Sequence, residues 1–167
     1  MSARPGPDGP GRPAKVHEFR TRRRVAFSDT DLAGLVHFAH FLRYAEDAEH
    51  ELFRSLGLSV VTELPGGRSY GWPRLGLSCR FFSPLRFEDE LEVRLLVREL
   101  REKTISYAFE VSALGGAEPR LSARGTLTAI CVEGVREGKV RAVAIPPEVA
   151  EKLAPAPPEL LAAWDEG

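Results

Sequence analysis

Phe27-Ser28-Asp29-Thr30-Asp31-Leu32-Ala33-Gly34-Leu35-Val36-His37-Phe38 separates two stretches of different hydrophobic period, and that change of period decides how the chain is read. Upstream, from His17 to Phe27, the odd positions include Phe19, Val25 and Phe27, while the even ones carry Glu18, Arg20, Arg22 and Arg24. A period of two predicts a strand with one charged face. Downstream, Phe41, Ala45, Ala48, Leu52 and Leu56 recur at steps of three and four. They line one face of a helix over about residues 39–56, which Gly57 stops. Arg43, Asp47, Glu51 and Arg54 fall on the face turned toward polar surroundings.

Beyond a loop containing Pro65-Gly66-Gly67, four further runs alternate. Their apolar rows are Leu75, Leu77, Cys79, Phe81; then Leu91, Val93, Leu95, Val97; then Ile105, Tyr107, Phe109, Val111; and last Leu121, Ala123, Leu127, Ala129, Cys131. All four are expected to be half-buried strands, and the short connections around Ser83-Pro84 and Gly115-Gly116 favour antiparallel neighbours. The order strand, long helix, four strands predicts an α+β chain in which a five-stranded antiparallel sheet wraps around one long helix, the hot-dog arrangement. One helix cannot cover both faces of such a sheet, so a homodimer is expected. A short helix is expected near Pro146-Pro147-Glu148, since proline is tolerated in a first helical turn.

At 167 residues, 43% hydrophobic and 28% charged, the chain is sized for one core. We expect that domain over residues 15–154. Residues 1–14 hold seven Gly or Pro and no aromatic, a composition expected of a disordered tail, and residues 155–167 read as a loose Pro-rich tail. With 23 Lys and Arg against 24 Asp and Glu, the formal charge of -1 gives no general pull toward nucleic acid or an anionic membrane. There is no apolar run of the roughly 20 residues that a bilayer span needs. Arg22-Arg23-Arg24 is not followed by the apolar stretch of an export signal, and Cys79 and Cys131 form no paired motif, so a reducing, cytoplasmic setting is expected.

The aromatic, the D-x-D of Asp29 and Asp31, the Ala33-Gly34 pair and the helix that follows resemble the 4-hydroxybenzoyl-CoA thioesterase family, including its Tol-Pal-associated members. Phe82-Ser83-Pro84-Leu85-Arg86-Phe87-Glu88-Asp89-Glu90-Leu91 also looks like that family's strand-turn-strand segment, so the likeness spans about residues 19–150. It implies an acyl-CoA thioesterase that needs no cofactor or metal. The catalytic carboxylate would fall on Asp31 and the oxyanion donor on the backbone N–H of Phe38, with Gly34 permitting the turn between them. The chemistry suits such a layout: a thioester carbonyl gathers negative charge on attack, and a helix start offers unpaired N–H donors and a positive dipole end. Asp31 would act as nucleophile or as general base toward water, and the thiolate leaves with little help. The same resemblance implies that Arg101, Lys103 and Thr104 contact the CoA phosphates, although Glu102 stands where the family carries an arginine. It also implies pairing of dimers into a homotetramer.

Other readings compete at each residue. An Asp in a strand-to-helix loop commonly caps a turn, which is the reading preferred for Asp29. His37 and His40 have an H-x-x-H spacing, but His50 is nearly three turns further on; lining the substrate pocket or fixing the helix start is expected of the pair, not a metal. Glu46 and Glu49 read as a solvated or interface face, and Cys79 and Cys131 as core thiols. The alternatives to hydrolysis are a hot-dog hydratase or dehydratase using Asp31 with His37, and a non-catalytic acyl-binding protein.

Overall fold

The computed structural model describes residues 14–64, 66–134 and 138–165; the expected N-terminal tail lies outside them but for Ala14. In chain order come β1 (Glu18–Arg24), a 3-10 turn (Phe27–Asp29), α1 (Phe38–Ser55), β2 (Val61–Leu64), β3 (Arg68–Gly71), β4 (Arg74–Phe81), β5 (Glu90–Leu100), β6 (Thr104–Ala113), β7 (Arg120–Ile130), β8 (Val132–Glu133), β9 (Arg141–Ala142), α2 (Pro147–Ala150) and α3 (Pro158–Asp165). A five-stranded antiparallel sheet of order β1-β5-β6-β7-β4 curls around α1, which is the hot-dog fold.

α1 starts and stops where local chemistry requires. His37 is the N-cap in extended backbone, and its Nδ1 accepts the Ala39 N–H at 3.3 Å. At the other end Gly57, at φ 67°, donates to Arg54 O, and Leu58 donates to Phe53 O, the paired bonds of a glycine-terminated helix. Its apolar stripe is wider than the expected row: Tyr44, Glu49 and Phe53 are buried beside Phe41, Ala45, Ala48 and Leu52. The rows of β5 and β6 pack beneath it, with Leu95, Tyr107 and Phe109 fully buried. The small side chains of Ala45 and Ala48 let the helix lie close to the sheet. Gly125 on β7 has a packing reason too, since a Cβ there would fall 2.6 Å from the Phe109 ring and 2.0 Å from Ser78 O.

Three expectations change. First, a second sheet of order β2-β3-β8-β9 occupies what reads as a loop, because strands of two to four residues are too short to display a period. Second, the row of β4 is not half-buried: Leu75, Leu77 and Phe81 are 61%, 51% and 51% exposed. β4 is the sheet's edge, so these side chains have a neighbouring strand on one side alone. Third, the loose tail expected from residue 155 is a docked element. Ala156 donates its N–H to Val97 O at 2.7 Å, and α3 lays Leu160, Leu161 and Trp164 against Leu96 and Ala108 on the sheet's outer face. Trp164 donates its indole N–H to Phe109 O and lies under the guanidiniums of Arg94 and Arg124, each 5.3 Å from its ring. Pro158 sits in the first turn, where a proline costs the helix nothing.

Candidate active site

Between β1 and α1 the chain folds into a small closed turn. Asp31 donates its N–H to Leu35 O at 2.8 Å, Gly34 donates to Asp31 O at 2.9 Å, and Thr30 and Val36 face one another as a bridge. Gly34 has φ 73°, the left-handed backbone that a residue with a Cβ avoids. Val36 N–H then binds Leu85 O at 2.8 Å, which fastens the turn to the β4–β5 connection.

The two aspartates divide their work. Asp29 is the more tightly held: its carboxylate accepts the Ala26 N–H at 3.0 Å and the Tyr44 hydroxyl at 2.7 Å and meets His40 Nδ1 at 3.2 Å, while its backbone carbonyl accepts the His37 N–H. Burial and the bond to that carboxylate push the Tyr44 hydroxyl well above its ordinary pKa, so it stays a proton donor. These bonds tie the 3-10 turn to the first turns of α1. Asp31 is exposed; its Oδ1 accepts from Ala33 at 2.8 Å and from Leu35 at 3.3 Å, and Oδ2 has no bond among the described residues.

At the start of α1 the N–H groups are engaged one by one. Ala39 is bound by His37 Nδ1 and His40 by His37 O, whereas the Phe38 N–H has no acceptor among the described residues. Phe38 is 60% exposed and lines an apolar cleft of about 320 Å³, together with Leu35, Val36 and Phe41 on one side and the chain from Phe81 to Pro84 on the other. Asp31 does not itself line this cleft; it stands directly across the turn from Leu35, which does. On the other flank of α1 a polar groove of about 640 Å³ includes Arg22 to Arg24, Asp29, His40 and Tyr44.

His37 and His40 are brought to the helix start but do not converge on one point. Their ring centroids are 6.5 Å apart and nearly perpendicular; His37 caps the helix and His40 binds Asp29, away from the cleft. With its Nδ1 in the cap, His37 has only Nε2 left for any other partner.

Arg101, Lys103 and Thr104 form the β5–β6 hairpin, with the Arg101 N–H on Thr104 O at 2.9 Å and the Arg101 side chain on Glu99 at 2.8 Å. Within one chain this hairpin is at the far end of β5 from Asp31, because Arg24 pairs with Glu90. Eleven residues of strand span about 33 Å, so the two sets do not meet in a single copy.

The reading of Glu49 as a solvated or interface carboxylate is corrected: it is 2% exposed and paired with Arg74, which also reaches Glu46 at 3.5 Å. Position 49 follows Ala48 by 100° around the helix, at the border of the apolar stripe, and the irregular start of β4 brings Arg74 over it. The chain carries no local signal for this, since the partner is on another element. Cys131 is buried and Cys79 half-buried beside the core; burial raises both thiols to about 11, so neither is a ready nucleophile.

Over residues 25–163 the chain matches the family described as the thioesterase-like superfamily. A provisionally assigned esterase of Aquifex aeolicus (strain VF5) is 33% identical over 135 residues, which are 81% of this chain and 97% of that protein. Among solved structures, a 1,4-dihydroxy-2-naphthoyl-CoA thioesterase from Synechocystis is similar at 26% identity and TM-score 0.60, covering 89% of this chain and 96% of that one. The 4-hydroxybenzoyl-CoA thioesterase from Pseudomonas sp. strain CBS-3 shares the fold at TM-score 0.68 and 20% identity, over 81% of this chain and 99% of its own.

Proposed function

Because the chain belongs to the thioesterase-like superfamily, we propose that it is an acyl-CoA thioesterase whose reaction centre lies between Asp31 and the start of α1. The observation that carries this is the unbound Phe38 N–H opening onto the apolar cleft, one turn of chain away from a carboxylate with a free oxygen. The acyl group occupies the cleft, and its carbonyl oxygen accepts from Phe38. Asp31 Oδ2 attacks the carbonyl carbon to give a mixed anhydride that water then hydrolyses, or takes a proton from a water that attacks directly; in either course the C–S bond breaks, the CoA thiolate leaves and the acid is released. Incubating the purified protein with a panel of acyl-CoAs and a thiol-reactive dye tests this: CoA release supports it, and binding without release on every substrate defeats it.

The active unit is a homodimer formed along β4. That edge carries unpaired backbone groups and the exposed row Leu75, Leu77 and Phe81, the combination that invites pairing with another strand. A two-fold antiparallel pairing reverses the second copy, bringing its Arg101–Thr104 hairpin to the Asp31 end of the first. The hairpin then adds its own cationic side chains for the CoA phosphates at that end. Leu77→Lys, which puts a charge in the centre of the edge, should give a monomer by light scattering and abolish CoA release; a still dimeric, active variant would place the interface elsewhere. The free thiols Cys79 and Cys131 are in keeping with a cytoplasmic setting. Among the described residues no helix is long and apolar enough to cross a membrane.

Glu49, though a helical carboxylate, has a structural part. Glu49→Gln keeps the shape and one acceptor but loses the charge that Arg74 faces, so urea unfolding should show a loss of about 1–3 kcal/mol with catalysis unchanged. A collapse of turnover in a stable Glu49→Gln protein would instead make it the reacting carboxylate.

A further inference from the structure

The cleft also bears on which acyl groups are turned over, an inference that rests on the acyl-CoA reading above. Every side chain lining it is hydrocarbon except Ser83, and that hydroxyl is engaged, 2.6 Å from Leu121 O with Ser122 Oγ at 3.3 Å. The backbone donors of the same wall are engaged too: Phe82 N–H binds Ser122 O at 2.9 Å and Val36 N–H binds Leu85 O at 2.8 Å. Phe38 N–H is left, and the thioester carbonyl takes it. Phe41 and Phe81 meet edge to face, 5.3 Å between centroids, and make an aromatic wall. A second copy along β4 adds its own inward row of Leu75, Leu77 and Phe81, while its Arg74 is paired through Nη2 with Glu49 and Glu46.

We propose that this cleft takes an unsubstituted apolar acyl group, one aryl ring or a short alkyl chain, and disfavours acyl groups bearing ring hydroxyls. A hydroxyl carried into the cleft gives up its hydrogen bonds to water, and among the lining side chains it meets only Ser83 Oγ, already bonded to Leu121 O. In a single chain the volume of about 320 Å³ is at the small end of ligand cavities, which favours one ring over a fused pair. The preference therefore runs opposite to the hydroxylated acyl groups in the names of the Synechocystis and Pseudomonas thioesterases.

The experiment compares kcat/KM for benzoyl-CoA, 4-hydroxybenzoyl-CoA and 2-naphthoyl-CoA on one preparation, so that the active fraction cancels from each ratio. Benzoyl-CoA should exceed its 4-hydroxy analogue by about 10- to 100-fold. Phe82→Ala, a truncation at a half-exposed position, should raise the ratio of 2-naphthoyl-CoA to benzoyl-CoA by widening the cleft. Equal or faster turnover of the hydroxylated substrate overturns the inference, as does a naphthoyl ratio that Phe82→Ala leaves unmoved. Absence of CoA release from all three, and from alkyl acyl-CoAs as well, would instead remove the acyl-CoA reading on which it stands.

Discussion

Phe38→Pro should lower kcat about 10²–10³-fold below that of Phe38→Ala, while leaving helix content unchanged. Phe38 is the first residue of α1, where a helix has no use for the N–H and proline's fixed φ is already suitable. The preceding residue must be extended for a proline to follow it, and His37 is, at φ -63° and ψ 138°. The substitution thus deletes one backbone proton, the donor proposed for the oxyanion, without breaking the helix. Phe38→Ala removes the same ring but keeps the N–H, so the difference between the variants isolates the amide. Circular dichroism checks the helix and steady-state kinetics the rate. If the two variants turn over alike, the carbonyl oxygen is bound somewhere else.

Asp31→Asn should reduce kcat about 10²–10⁴-fold with little change in Tm. An asparagine can still accept the Ala33 and Leu35 amides through its Oδ1, so the turn keeps its shape and loses the charge that attacks or deprotonates. Asp29→Asn is the matched control. Its carboxylate holds Ala26, Tyr44 and His40, so its loss should appear as a lower unfolding midpoint, with turnover reduced less than by Asp31→Asn. The reverse pattern, a stable but inactive Asp29 variant beside an active Asp31 variant, would leave Asp31 with only its place in the turn.

Much of this was legible because it is local. The step pattern from Phe41 to Leu52 and the alternation in the strands from Leu91 to Cys131 follow from the geometry of one helix and one strand, whatever packs against them. The position of Asp31 and Gly34 between a strand and a helix start is likewise a property of a dozen consecutive residues. Burial of Glu49 is different in kind, since it depends on Arg74 arriving from another element. The exposed row of β4 could not be told from a buried one, because Leu75, Leu77 and Phe81 alternate as a core strand does.

The amino-acid order alone determined the α+β class, the wrapped helix, and the turn that sets a carboxylate beside a helix start, since each rests on spacing between near neighbours. Tertiary packing decided that β4 is an edge, that residues 158–165 form a helix on the sheet's back, that Asp29 and not Asp31 holds Tyr44, and that the Arg101 hairpin is a strand's length away from Asp31. Those outcomes depend on which strands become neighbours and at what register, and contacts between residues distant in sequence leave no period in the chain for a reader to find.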